Sequence, residues 1–202
     1  PLRVNQTTLS DGFPAYATTG TPSDCVALAL MGILKRRPNL VISGINNGHN
    51  LGQDLTYSGT VTAAMEAVIY GVPAMAVSFG ARQGDFSYTA QFAASLAALI
   101  LERSLPPGTL LNVNVPALPP EKVRGVEITR LGKRVYRDSL VERKDPYGRD
   151  YYWIGGEPPT GVAEEGTDIW AIANDCISIT PIHLDMTEYR LLEELKGWEI
   201  AV

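Results

Sequence analysis

The sequence predicts a three-layer α/β/α domain with a largely parallel sheet, a protruding β-hairpin arm and a C-terminal helix. In residues 1–125, short apolar runs typical of buried strands alternate with segments whose apolar residues recur every three or four positions. Such alternation favours parallel strands with helices on both faces. In residues 126–160, short β-like runs follow one another around a turn, which indicates the arm. Residues 161–202 add a strand and a helix, and we expect one domain overall.

The first part of the core is predicted from end signals. A short strand at 15–18 precedes a helix that Thr21 can cap, with Pro22 at its first position and Asp24 as an acid in its first turn. Apolar residues then recur at helical spacing as far as a basic cluster, and Pro38 ends the helix. An apolar strand at 40–42 follows directly.

The remaining elements repeat this pattern and then depart from it. A helix from about Val61 to Gly71 leads to a strand at 74–78, and a helix at 88–103 leads to a strand at 110–115. Further elements are predicted as strands at 126–129, 135–141 and 151–154, a turn at 145–148, a loop at 157–166, a strand at 177–182 and a helix at 187–196. The arm is rich in aromatic residues, namely Tyr136, Tyr147, Tyr151, Tyr152 and Trp153. Exposed aromatic strands usually pack on another subunit, and the alternative is packing on the same chain.

Size and composition are those of an ordinary globular protein. With 202 residues, 45% of them hydrophobic, the chain can bury a sizeable core. The formal net charge of -5 argues against a nucleic-acid-binding surface, but not against a small phosphorylated ligand. Cys25 and Cys176 favour reduced core thiols over a disulfide. No apolar stretch is long enough to span a bilayer, and we expect a cytoplasmic protein.

Ser58, Gly59 and Thr60 form the first candidate site. They lie just before the second helix and would present free backbone N–H groups and two hydroxyls at the positive end of the helix dipole. A phosphate group is the natural occupant of such a site. The alternative is that Ser58 or Thr60 only caps the helix.

The loop after the strand at 40–42 is the second candidate site, because Asn46, Asn47 and Asn50 alternate with glycines there. Amide oxygens are hard ligands suited to Mg²⁺, Mn²⁺ or Ca²⁺, but a divalent site normally needs carboxylates as well. The alternative is a set of Asx turns and left-handed loop positions.

Few titratable groups accompany these two sites. Asp54 could reach a metal or a catalytic water, and a solvated loop carboxylate is the competing interpretation. Asp24 is expected to cap a helix, and Glu66 lies inside one. His49 could act as a general acid or a phosphate donor, or be an ordinary surface-loop histidine, whereas His183 is expected to be structural. The sequence contains no phosphate loop of the Gly-x-x-x-x-Gly-Lys type, no Gly-x-Ser-x-Gly elbow and no His-Glu-x-x-His helix.

Several segments resemble the survival protein SurE family of 5'/3'-nucleotidases, in the family's order. They are Gly20-Thr21-Pro22-Ser23-Asp24-Cys25-Val26, Val41-Ile42-Ser43-Gly44-Ile45-Asn46, Asn50-Leu51-Gly52, Tyr57-Ser58-Gly59-Thr60-Val61, Asn112-Val113-Asn114-Val115-Pro116, Tyr152-Trp153-Ile154-Gly155 and Ser178-Ile179-Thr180-Pro181. The resemblance implies a Rossmann-like core and a metal-dependent phosphatase of nucleoside 5'- and 3'-monophosphates. It also implies a homodimer or homotetramer assembled through the arm and the C-terminal region.

The resemblance implies roles for individual residues. Asn46 matches the family's asparagine ligand to a divalent metal, Mg²⁺ or Mn²⁺. The loop that holds the substrate phosphate is matched by Ser58, Gly59 and Thr60. Three residues would lie at the edge of the site: Ser43, Gly44 and Asn50.

The sequence departs from the family pattern at its start. The family's metal-binding aspartates lie in an Asn-Asp-Asp-Gly strand end and a later serine completes the site, and none of these is in this chain. Pro1 is not an initiator Met, so we expect an amino-terminal segment with the catalytic aspartates upstream of Pro1 and an inactive chain without them. The alternative function is a nucleotide-binding or assembly module without catalysis. A dehydrogenase lacks support because no Gly-x-Gly-x-x-Gly follows a strand.

Overall fold

The structure, a computed structural model, describes residues 1–81, 83–135, 138–156 and 160–200. Its strands and helices in chain order are β1 (Val4–Thr8), β2 (Pro14–Thr18), α1 (Pro22–Leu28), β3 (Val41–Asn47), α2 (Gly59–Ile69), β4 (Ala74–Phe79), α3 (Ser87–Arg103), β5 (Thr109–Val115), β6 (Gly125–Ile128), β7 (Arg134–Val135), β8 (Asp138–Lys144), β9 (Asp150–Gly156), β10 (Thr160–Gly161), α4 (Asp168–Ala173), β11 (Cys176–His183) and α5 (Tyr189–Leu195). Within these ranges no helix is both long and apolar enough to cross a membrane.

The central sheet has five strands in the order β3-β4-β5-β11-β6. β3, β4 and β5 run parallel, β11 is antiparallel to β5, and β6 is parallel to β11. The sheet is therefore mainly parallel, and the predicted α/β/α fold is confirmed.

The core explains the three layers. β4 is buried along its whole length, and successive side chains of a strand point to opposite faces. Ala74 and Ala76 pack in the cluster that contains the apolar face of α2, whereas Met75 and Val77 pack with residues of α3. Because α2 follows β3 and α3 follows β4, both helices begin at the carboxyl edge of the parallel strands, where α/β proteins bind their ligands.

The first helix begins where it was predicted to begin. It ends at Leu28, before the basic cluster at which the sequence predicted its end. Asp24 N donates to Thr21 Oγ1 at 3.2 Å, and Thr21 N donates to Asp24 Oδ2 at 2.8 Å, which is a capping box. The Asp24 carboxylate accepts hydrogen bonds from Thr21 N and Thr21 Oγ1, and these two bonds hold the pKa of Asp24 below its ordinary value. The next five residues, Ala29–Ile33, form a π-helical turn that Leu34 N closes on Ala29 O at 3.0 Å.

Three parts of the fold differ from the prediction. The unpredicted strand β1 pairs with β2 in an antiparallel hairpin, with Gly12 at φ 88° in the turn. The strand predicted at 135–141 differs in its pairing, because its described parts have different partners: Val135 in β7 pairs with β10, whereas residues 138–141 in β8 pair with β9. Residues 136–137, with the aromatic Tyr136, and 157–159 of the predicted loop lie outside the described residues. The helix α4 was not predicted, since six residues show little periodicity.

The arm is an antiparallel hairpin of β8 and β9, as predicted. Its turn is held by Asp145 Oδ1, which accepts from Tyr147 N at 2.8 Å and Arg149 N at 3.0 Å. The side chains of Tyr152 and Trp153 are exposed. The arm therefore carries aromatic surface that the described part of the chain leaves exposed.

Candidate functional site

The predicted metal loop begins as a strand. β3 continues to Asn47, and after an irregularity beyond Ser43 it pairs Asn46 with Ser78 of β4. Gly44 permits this path, because it has φ 133° and an added Cβ would lie 2.4 Å from Val77 O. The expectation of a loop from residue 43 was wrong, since a close approach of two backbones keeps the strand paired.

Asn46 ends this strand with a fixed amide. Its Nδ2 donates to Gly48 O at 2.9 Å, which sets the orientation of the side chain. Among the described residues, no donor is found for Asn46 Oδ1. Asn46 therefore offers one oriented oxygen at the carboxyl edge of the sheet, and an amide oxygen suits a hard divalent cation.

The predicted phosphate residues lie at the start of α2. Ser58 caps the helix, because Val61 N donates to Ser58 Oγ at 3.2 Å. Thr62 N donates to Ser58 O at 2.9 Å and closes the first turn. The backbone N–H groups of Gly59 and Thr60 precede this bond and have no acceptor within the helix. The helix start thus combines a capping hydroxyl with two amides available to an anion.

Asn50 is buried and holds the loop against the sheet. Its backbone N donates to Asn114 Oδ1 at 2.8 Å, and its Nδ2 donates to Ser78 Oγ at 2.7 Å. Its carbonyl oxygen accepts from Asn112 Nδ2 at 2.8 Å and from Asn114 Nδ2 at 3.0 Å. Asn50, predicted to lie at the edge of the site, therefore fixes the loop to β4 and β5 from a buried position. The sequence analysis had not identified Ser78 or assigned a role to either β5 asparagine.

Asp168 supports the next part of the loop from the start of α4. Its fully buried carboxylate accepts from Gly52 N at 2.7 Å, Gly132 N at 2.7 Å and Ile169 N at 2.8 Å. The sequence had not singled out this residue. The only local signal is an acid in the first turn of a helix capped by Thr167.

Asp54 belongs to the same support. Its Oδ2 lies 2.9 Å from Arg134 Nε, and the two side chains are 21% and 18% exposed. The interpretation of Asp54 as a solvated loop residue was wrong, because a half-buried ion pair ties it to β7.

Among the described residues no group of three His, Cys, Asp or Glu side chains could hold a metal ion.

His49 is a packed residue and not a surface histidine. Its Nε2 donates to Val115 O at 3.0 Å, and its ring lies against Gly80, where an added Cβ would approach it to 2.5 Å. Burial lowers the pKa of His49 below its ordinary value. The other histidine, His183, lies in β11 and accepts from Asp185 N at 3.0 Å through Nδ1, in keeping with a structural role.

The packing of His49 predicts a stability that falls in acid. Because its folded-state pKa is lowered from 6.5, the unfolded chain binds the proton more readily. The stabilisation is present above that ordinary value and is lost as the pH falls through and below it. We expect the urea midpoint to drop between about pH 7.5 and about pH 5.5, and to drop less in His49→Gln. An equal drop in both proteins would contradict this account.

Comparisons with known proteins place the chain in a family. The family model of "Survival protein SurE" matches residues 1–138. The chain is 55% identical to 5'-nucleotidase SurE of Chloroflexus aggregans, over 98% of this chain and 80% of that protein. It is 52% identical to 5'-nucleotidase SurE of Herpetosiphon aurantiacus, over 96% of this chain and 78% of that protein. The crystal structure of the SurE protein from Aquifex aeolicus superposes with a TM-score of 0.81 at 42% identity, over 96% of this chain and 79% of that one. The chain belongs to the survival protein SurE family.

Proposed function

We propose that the protein is a metal-dependent phosphomonoesterase that hydrolyses nucleoside 5'- and 3'-monophosphates to nucleoside and phosphate. The relatives named 5'-nucleotidase SurE, at 55% and 52% identity, support this reaction class. The observation that carries it at the level of residues is the start of α2, where Gly59 and Thr60 keep two backbone N–H groups without helical acceptors.

The chain's own residues would bind and orient the phosphate group. The amides of Gly59 and Thr60 would donate to its non-bridging oxygens, where the helix dipole also favours negative charge. The Ser58 hydroxyl caps the helix and keeps this turn formed. Donors held in place in this way stabilise charge that develops during phosphoryl transfer.

The proposed cofactor is Mg²⁺ or Mn²⁺. Asn46 fits as one ligand, because its Nδ2 is engaged by Gly48 O and its Oδ1 has no donor among the described residues. A divalent cation takes about six oxygen ligands, so substrate oxygens, water or carboxylates outside the described residues would have to complete the set. When bound, such an ion would polarise the phosphate and stabilise the leaving oxygen.

We also propose the wider setting of this activity. The exposed Tyr152 and Trp153 of the arm favour assembly into a homodimer or homotetramer through the arm and the C-terminal region. We expect the chain to act as one domain with a core at 1–125, an arm at 126–160 and a terminal part at 161–202, and to reside in the cytoplasm.

The test is hydrolysis of a nucleoside monophosphate panel by the full-length protein with Mg²⁺, Mn²⁺ or EDTA. We expect phosphate release with either metal, loss of release in EDTA, and recovery when excess metal is added back. Release that continues unchanged in EDTA would refute the metal mechanism. Nucleotide binding without turnover in any metal would favour the second candidate, a binding or assembly module, which the single described metal ligand also fits.

A further inference from the structure

Two buried amide side chains of β5 hold the loop that follows Asn46. Asn112 and Asn114 occupy alternate positions of the strand and are fully buried, so they lie on the same face of the sheet. Asn114 Oδ1 accepts from Asn50 N at 2.8 Å, and Asn114 Nδ2 donates to Asn50 O at 3.0 Å. Asn112 Nδ2 donates to the same carbonyl oxygen at 2.8 Å. Buried backbone groups need partners, and here side chains supply them for both polar groups of one loop residue.

The orientation of the Asn112 amide indicates a role beyond stability. Its Nδ2 reaches Asn50 O, and its buried Oδ1 then has no hydrogen-bond donor among the described residues. An unpaired buried acceptor lowers the free energy of unfolding, whereas an apolar residue of the same shape would avoid this loss. The stability of the core alone therefore does not account for an asparagine at this position.

Gly48 connects this network to the proposed metal ligand. It lies two residues before Asn50, and its carbonyl oxygen accepts from Asn46 Nδ2 at 2.9 Å. Its N–H donates to Phe79 O at 2.8 Å, which fixes the loop on one side of that carbonyl, and the bonds of Asn50 fix it on the other. Gly48 has φ 112° and no side chain to limit rotation of its backbone. The direction of its carbonyl therefore depends on the bonds at both sides.

We propose that Asn112 and Asn114 are positioning residues for the metal ligand Asn46. They fix Asn50, which fixes the direction of the Gly48 carbonyl, and that carbonyl orients the amide of the ligand. The inference rests on the proposed function, since it assigns the residues that prepare its metal site. Direct partners of a metal ligand commonly change metal affinity about 10–100-fold. The β5 asparagines act through the loop, so we expect a smaller effect of roughly three- to tenfold.

The test compares Asn114→Leu with Thr180→Val in the full-length protein. Leucine is close to asparagine in shape and removes both bonds to Asn50. Thr180 lies on the neighbouring strand β11 and is also buried, but its hydroxyl contacts Thr129 at 2.7 Å and Ser178 at 3.5 Å instead of the loop. Both variants should unfold at a lower urea concentration, because each loses buried hydrogen bonds. In a calorimetric titration without substrate, only Asn114→Leu should raise the Kd for Mn²⁺, by roughly tenfold.

Asn112→Leu provides a second test that holds even if Asn114→Leu fails to fold. The substitution removes one bond to Asn50 together with the unpaired Oδ1, so we expect the urea midpoint to stay close to that of the parent protein. The Kd for Mn²⁺ should nevertheless rise about threefold. A merely structural role would not weaken metal binding while leaving stability unchanged.

Equal Mn²⁺ affinity in the parent protein and both leucine variants would overturn the positioning role, and so would an equal loss of affinity in Thr180→Val. In either case metal-dependent hydrolysis by the parent protein would leave the proposed reaction in place. If the expected shifts in Mn²⁺ affinity are found but no nucleotide is hydrolysed, the positioning role stands and only the proposed reaction fails. A parent protein that binds no Mn²⁺ would overturn the metal role of Asn46 and this inference with it.

Discussion

Replacing Asp168 with alanine is expected to lower the free energy of unfolding by roughly 3 to 6 kcal/mol, the largest stability loss that we predict for a single side chain. The reason is that three backbone N–H groups, those of Gly52, Gly132 and Ile169, would lose their acceptor. Each buried donor left unpaired costs about 1–3 kcal/mol. Urea unfolding followed by circular dichroism measures the change.

Asp168→Asn removes the negative charge and one of the two acceptor oxygens but keeps the size of the side chain, whereas Asp168→Ala removes the whole carboxylate. Its amide keeps one oxygen but presents an NH₂ group to a backbone donor, so we expect an intermediate loss of about 1–3 kcal/mol. Glu121→Ala removes an exposed acid and is expected to change stability by less than about 0.5 kcal/mol. If Asp168→Ala were as stable as Glu121→Ala, the carboxylate would not be a support of the loop.

Replacing Asn46 with alanine is expected to reduce kcat/KM for nucleoside monophosphates by about 100-fold or more, since even residues one shell removed from a metal cost 10–100-fold. The substitution removes the oriented Oδ1 at the end of β3, while the strand itself remains paired through its backbone. The concentration of Mn²⁺ needed for half-maximal activity should rise in parallel. Titration of Mn²⁺ by calorimetry gives a readout that does not depend on turnover.

Asn47→Ala is the matched control for this prediction. Asn47 is the neighbouring residue of the same strand and is exposed, and no hydrogen bond of its side chain is found among the described residues. It should retain both the activity and the Mn²⁺ affinity of the parent protein. An Asn46→Ala protein with unchanged Mn²⁺ affinity would remove Asn46 from the metal site, whatever its rate.

The alternating core could be predicted because its signals are local. β4 is a run of small and apolar residues buried on both faces, and α2 carries its buried side chains at helical spacing. The candidate site residues could be proposed from local signals too, since the capping serine and the terminal asparagine lie next to the helix start and the strand end on which they act. The extent of β3 was not predicted, because a glycine after a short apolar run is typical of a loop. Only the neighbouring strand β4, whose backbone lies close to Gly44, shows that β3 continues.

The supports of the site could not be predicted in this way. Asp168 meets Gly52 across 116 residues of chain, and no local pattern reports such a contact. The asparagines of β5 gave a partial signal, since Asn112 and Asn114 occupy alternate positions of an otherwise apolar strand and therefore share one face. Their partner could not be predicted, because both asparagines form hydrogen bonds with Asn50, which is more than 60 residues away in the sequence.

The span of these hydrogen bonds determines when the site can form. The hydrogen bonds between Asn50 and β5 join residues that are 62 and 64 positions apart in the sequence. The hydrogen bond between Gly52 and Asp168 joins residues 116 positions apart. Closing long segments costs entropy that is recovered only once the contact is made, so such contacts form late in folding. On the ribosome, a growing chain that already holds Asn46 and α2 still lacks Asp168. The loop at Gly52 therefore acquires its final shape only after Asp168 has been synthesised.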